Sequence, residues 1–112
     1  MNKRTFIVNS QYFGQGDDQL GEQMMGSFLR KLWSLETKPQ RMIFYNSGVK
    51  LLAESSPVLD ALDGLHQAGV DLIACGTCVT HFDLKNKIAV GRVSDMHEIA
   101  TTMLSSPTVV TV

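Results

Sequence analysis

Val70-Asp71-Leu72-Ile73-Ala74-Cys75-Gly76-Thr77-Cys78 is the stretch that decides how this chain is read. Its first five residues form a short apolar run broken by one carboxylate, the pattern of a strand buried in a sheet. Gly69, just before it, is a carboxyl cap for a preceding helix. Just after it stand the only two cysteines of the chain, held in one Cys-x-x-Cys tetrapeptide. The strand therefore delivers a pair of thiols to its carboxyl end, where open α/β sheets bind their ligands.

Working outward, the same alternation of strand and helix recurs on both sides. Phe6-Ile7-Val8 reads as strand one and exits into the loop Ser10 to Gly16. Asp17 and Asp18 favour the positive end of a helix over 17–35, whose apolar face runs Leu20, Met24, Phe28, Leu32 with Met25, Leu29 and Trp33 beside it. Met42 to Tyr45 is strand two, with Asn46-Ser47-Gly48 as its exit. Ser56-Pro57 marks a helix start, with Val58, Leu59, Leu62 and Leu65 turned inward. Beyond the cysteines the chain reads as irregular to Lys87, and Ile88-Ala89-Val90 as strand four. Asp95 caps a helix with an inner face of Met96, Ile99, Ala100, Met103 and Leu104, and Thr108 to Val112 is the last strand. Strands alternating with helices require right-handed crossovers and a parallel sheet covered on both faces. The predicted fold is a single α/β domain over residues 1–112, with every strand-exit loop on one edge.

Bulk composition narrows the partners. The chain has 112 residues, 44% hydrophobic and 19% charged, which suits one ordinary globular domain with its own core. A net charge of -1 provides no basic footprint for nucleic acid or an anionic membrane. No stretch approaches the roughly 20 apolar residues of a spanning helix. Thr5 to Asn9 is too short and polar to be the apolar core of a signal peptide. A reducing cytoplasmic location follows, and there a Cys-x-x-Cys is a reactive or metal-binding element rather than a staple.

A reactive reading needs a thiolate, and a free thiol titrates near about 8.5, so backbone N–H groups must draw it down. The amides of Gly76, Thr77 and Cys78 can form a concave nest around the Cys75 sulfur, with Gly76 freeing the backbone to curl. Cys78 is then near enough to resolve an oxidised or persulfidated Cys75. On this reading Cys75 is the first thiol alkylated, and fewer donors are aimed at Cys78. Zinc would take Cys75, Cys78 and His81, but no second Cys-x-x-Cys or His pair completes a closed site, so no metal is assigned. Gly14-x-Gly16 lacks the third glycine of a dinucleotide loop, and Asp17 with Asp18 would repel phosphate, so no nucleotide cofactor is expected. His66 and His97 read as surface or structural residues. The six methionines read as packing rather than as a copper site.

Four segments in order carry a family resemblance: Phe13-Gly14-x-Gly16-Asp17-x-x-Leu20-Gly21, Phe44 to Val49, Cys75-Gly76-Thr77-Cys78 and Val90 to Met96. Together they resemble the DsrE/DsrF-like superfamily, most closely the carboxyl-terminal domain of YedF-type selenium-metabolism proteins, over nearly the whole chain. The resemblance implies a three-layer α/β/α sandwich with a mainly parallel five-stranded sheet. It also implies a sulfur carrier holding a persulfide on Cys75, with Asn46, Gly48 and Thr77 along the same edge. It implies homo-oligomers and protein partners, a cysteine desulfurase or TusA-like carrier as donor and a further protein as acceptor. Two departures stand out. Strand one starts by Thr5, so the TusA-like domain of two-domain relatives is not expected, and the family's Asn near strand four is Asp95 here. The rival readings are a thiol–disulfide oxidoreductase, with Pro107 as its only further likeness to thioredoxins, and a non-catalytic binding module.

Overall fold

Five strands form one sheet in the computed structural model, which describes residues 3–112. They are β1 (Arg4–Val8), β2 (Arg41–Phe44), β3 (Asp71–Cys75), β4 (Arg92–Ser94) and β5 (Thr108–Thr111). Every pairing is parallel and the order is β4-β3-β2-β1-β5. The helices are α1 (Asp18–Ser34), α2 (Leu59–Gln67), α3 (Gly76–His81) and α4 (Met96–Ser105), with a 3₁₀ segment at Asn46–Leu52. The chain steps across the sheet from β1 to β4, then doubles back through α4 to place β5 beside β1. With right-handed crossovers, a reversal of direction puts the connecting helix on the opposite face. That reversal is why α4 alone covers one side.

Strand alternation sorts the core into two parts. Val8, Met42, Phe44, Leu72 and Ala74 point toward α1 and α2, where Met25, Leu29, Leu62 and Leu65 complete a large buried cluster. Ile7, Ile43, Ile73 and Cys75 point the other way and meet only Ile99 of α4 as a buried partner. Asp17 caps α1 by accepting from the Leu20 amide at 2.8 Å, and Asp95 caps α4 by accepting from Glu98 at 3.0 Å. Gly14 and Gly16 both take positive φ in the loop before Asp17.

Several expectations change. Residues 88–90 are not a strand. Ile88 makes an isolated antiparallel bridge to Ala53 and Val90 is buried in the large cluster. Gly91 then turns with φ +84 so close to β3 that a Cβ there would lie 2.7 Å from the Leu72 carbonyl oxygen, and only beyond it does β4 pair. The segment after Cys75 is the helix α3, not irregular chain. Ser56 accepts from the Val58 amide at 3.2 Å, a local turn, and α2 begins at Leu59. On α1 the buried line runs Gly21, Met25, Leu29, Leu32, leaving Leu20 and Met24 exposed, because Gly21 packs tightly on Tyr12. On α4 only Ile99 is buried, while Met96 is 60% and Leu104 87% exposed. Trp33, exposed along one side, lies across Gly64 of α2.

Candidate functional site

In a parallel sheet all strand exits share one edge, and β2 and β3 end there side by side, with Phe44 opposite Ala74. Cys75 is the last residue of β3 and the residue before α3; it is only 2% exposed and faces the α4 side. Cys78 lies one turn into α3, half-buried, and packs against both core clusters. Both sulfurs are free thiols. α3 is built from β-branched residues and glycine, poor helix formers, so tertiary contacts hold it: Val79 is buried and Phe82 packs on the large cluster.

Asn46, two residues past β2 and the first of the 3₁₀ segment, takes the left-handed region, φ 51, a conformation asparagine tolerates better than most residues. Its side-chain Oδ1 accepts from the Ser47 N–H at 2.8 Å. This turn aims the Asn46 backbone N–H at the Cys78 Sγ, 3.0 Å away. The expectation that fewer donors reach Cys78 is therefore corrected, since the Asn46 amide, in the loop that follows β2, serves it. Burial pushes the Cys78 thiol above its ordinary range, the Asn46 N–H pulls it partly back, and the adjacent Cys75 thiol pushes it up again. Cys78 is thus held as a neutral thiol near pH 7.

Two openings meet at Cys78. On the α4 side lies a groove of about 320 Å³ whose walls include Tyr45, Cys75, Cys78, Met96, Ile99 and Met103. On the outer side lies a cleft of about 280 Å³ lined by Asn46, Thr77, Cys78, His81 and Phe82. Lys50 sits over the Phe82 ring at 4.5 Å, and His81 meets that ring edge-on. A third, polar cavity of about 550 Å³ opens beside Asn46 at the β1–β5 switch point, between Ser10, Tyr12, Gly14 and Val112.

Of the residues singled out from the sequence, Cys75, Cys78, Asn46 and Thr77 converge on these openings, with Gly76 half-buried behind them against the Ser94 carbonyl. Gly48 lies deeper. A Cβ there would sit 2.2 Å from the Val8 carbonyl oxygen, so its place is the packing of the 3₁₀ segment on β1. His81 and Cys75 open onto different sides of Cys78, and among the described residues no three His, Cys, Asp or Glu side chains are grouped to hold a metal ion. Tyr45, Met96 and Met103 were not legible as site residues. Met96 and Met103 had the spacing of a core face, and only the position of α4 over the sheet edge turns them toward the thiols.

Behind the groove an ion-pair network ties α4 to the sheet. Arg92 of β4 donates to both Asp71 carboxylate oxygens at 3.0 and 2.9 Å and to both Glu98 oxygens at 2.7 and 2.6 Å. Ser94 also donates to Glu98. These bonds hold the Glu98 carboxyl down at about 2.

A five-stranded parallel sheet with one reversed crossover, and a Cys-x-x-Cys at the third strand's exit, defines an open α/β protein with a thiol site on its carboxyl edge. The chain belongs to the DsrE/DsrF-like family, whose model matches residues 3–112. Among solved structures it is similar to the ychN protein from E. coli, with 17% identity, 100% of each chain covered and a TM-score of 0.75. It is also similar to MTH1491 from Methanobacterium thermoautotrophicum, a protein of unknown function, with 18% identity, 97% of each chain covered and a TM-score of 0.70. At these identities the likeness is one of fold. No curated protein matches the sequence significantly.

Proposed function

We propose that the chain is a sulfur carrier that holds sulfane sulfur as a persulfide on Cys75 and passes it to a partner protein. The observation that carries this reading is the placement of Cys75, nearly inaccessible, on an apolar groove it shares with Cys78. A terminal persulfide sulfur on Cys75 projects into that groove, away from water and from small reductants. Loading is a transfer without net oxidation. The Cys75 thiolate attacks the outer sulfur of a donor persulfide, forms Cys75–S–S⁻ and expels the donor thiolate, which takes up a proton. In delivery, an acceptor thiolate attacks the same outer sulfur and Cys75 leaves as thiolate. In a second exit, the Cys78 thiol loses its proton and attacks the inner sulfur of Cys75. Hydrosulfide leaves, carrying that proton, and a Cys75–Cys78 disulfide remains for a dithiol reductant to open.

The donor on this reading is a cysteine desulfurase or a TusA-like carrier, the acceptor is another protein, the chain works as a homo-oligomer, and the setting is the cytoplasm. None of the described helices is long and apolar enough to cross a membrane. The thioredoxin-like alternative gains no support from Pro107. That residue precedes β5, at the opposite end of the strands from the cysteines and separated from β3 by β2 and β1. The test is incubation with a desulfurase, cysteine and a TusA-like protein, followed by mass spectrometry. One added sulfur atom on Cys75 is expected. Failure of the wild-type protein to gain sulfur from any such donor, or equal gain by a Cys75→Ser variant, refutes the carrier reading.

A further inference from the structure

Met96 and Met103 are separated by two turns of α4, so both thioethers lie on the helix face that looks onto the thiol groove. Met96 is 60% exposed and packs into no core, and Met103 is only partly covered. Across the groove stand Cys75 and Cys78, which line the same space three residues apart in the chain. The groove thus brings four sulfur atoms to one space of about 320 Å³ whose lining contains no carboxylate, imidazole, ammonium or guanidinium.

We propose that this groove is a binding site for a soft monovalent cation, Cu(I), held by the Cys75 and Cys78 sulfurs with a thioether from Met96 or Met103 completing its coordination. Thiolate and thioether donors select Cu(I), while hard divalent ions need oxygen ligands and zinc needs more nitrogen or thiolate ligands than two sulfurs. Cu(I) accepts two or three donors, the number a Cys-x-x-Cys with one methionine supplies. Binding displaces one proton from each thiol, so two protons leave as one cuprous ion enters and the assembly carries one net negative charge. The Asn46 N–H, already on the Cys78 sulfur at 3.0 Å, faces that charge. No oxidation state changes. The proposal does not rest on the persulfide reading, although a chain loaded at one of these sulfurs cannot hold the other cargo at the same time.

The experiment supplies Cu(I) anaerobically as its acetonitrile complex to the reduced full chain, in competition with bicinchoninate, with Zn(II) titrated in parallel. One Cu(I) per chain is expected, with a sulfur-to-copper charge-transfer band in the ultraviolet, a raised Tm and no comparable retention of Zn(II). A Cys75→Ser, Cys78→Ser double variant should lose retention. A Met96→Leu, Met103→Leu double variant, which preserves volume and therefore the fold, should bind roughly 10-fold or more weakly, the scale on which single ligand-environment changes alter metal affinity. Circular dichroism confirms that each variant is folded. The proposal is overturned if bicinchoninate strips copper from the wild type as readily as from the double serine variant, if the leucine variant binds as tightly as the wild type, or if Zn(II) is held in preference. Copper retention by a chain that never accepts sulfur would leave this site standing and remove the carrier reading; the converse result would do the opposite.

Discussion

Phe44 and Ile43 are neighbours in β2, yet they point into cores of very different size. Phe44 enters a cluster closed by α1, α2 and the 3₁₀ segment, while Ile43 meets Ile7, Ile73, Cys75 and one buried helical residue, Ile99, with Cys78 and Met103 only partly buried at its margin. The difference comes from connectivity: crossovers that advance in one direction stack their helices on one face, and only the return crossover serves the other. Stability therefore resides on the first face and access on the second. A buried thiol can be reached when the helix over it is held by one buried side chain and an exposed ion-pair network, and α4 is such a helix.

Deleting side chains on either side separates the two faces most directly. Phe44→Ala removes a fully buried ring from the large cluster and should cost about 3–5 kcal/mol, a large share of a typical domain's stability. Denaturant unfolding measures it. Ile99→Ala on the thin face should cost less, roughly 2–3 kcal/mol, because exposed α4 can settle toward the sheet. It should also raise the rate of Cys75 alkylation well above that of the wild type, since α4 is the cover of that groove. Equal losses at the two sites, or an unchanged Cys75 rate in Ile99→Ala, would contradict the division between a stabilising face and an opening one.

A smaller effect tests how α4 is attached. The Glu98 carboxyl is held at about 2 by Arg92 and Ser94. A depressed carboxyl adds stability that is complete above its unfolded value, near 4.5, and is lost as pH falls from there toward 2. The partners are about two-fifths exposed, so solvent screening reduces the contribution to roughly 1 kcal/mol or less. Glu98→Gln should lower stability by that amount near neutral pH and by almost nothing at pH 2. Native-state hydrogen exchange should show α4 amides opening earlier than those of α1 as the pH falls.

The sequence exposed one face more fully than the other. The buried strands β1, β2 and β3, the caps Asp17 and Asp95 and the cysteine edge follow from local patterns, because a strand buried on both faces writes an apolar run and a helix start writes a carboxylate. α3 was hidden because Gly76, Thr77, Val79 and Thr80 favour other conformations and only packing makes them helical. Residues 88–90 read as β4 because burial of Val90 in the large cluster produces the same apolar run as a strand. Spacing shows that Met96, Ile99 and Met103 share a side of α4, but not that the sheet ends beneath them, and it wrongly adds Leu104, which is 87% exposed. Periodicity reports which residues share a face; what that face meets is decided by the return crossover.

The smallest effect concerns the residue at the seam of the two faces. Cys78 packs against both clusters and receives the Asn46 N–H, and burial, outweighing that bond, sets its thiol above the ordinary value. A thiol raised in the folded state favours the protonated form. The stability it lends is therefore present below the unfolded value near 9 and is lost as pH rises through the higher folded value. Iodoacetamide should modify Cys78 slowly at pH 7 relative to a free thiol, with the rate still climbing above pH 9. The asparagine at φ 51 sets the direction of the N–H. Asn46→Gly keeps that conformation available and should leave the Cys78 pH profile nearly unchanged. Asn46→Ala meets a left-handed penalty of about 1–2 kcal/mol, and relief of that strain should turn the N–H off the sulfur. The Cys78 profile should then move to still higher pH, because burial remains while the bond that opposed it is gone. A profile that moves down in Asn46→Ala, or that moves equally in both variants, would show that the amide of Asn46 does not govern this thiol.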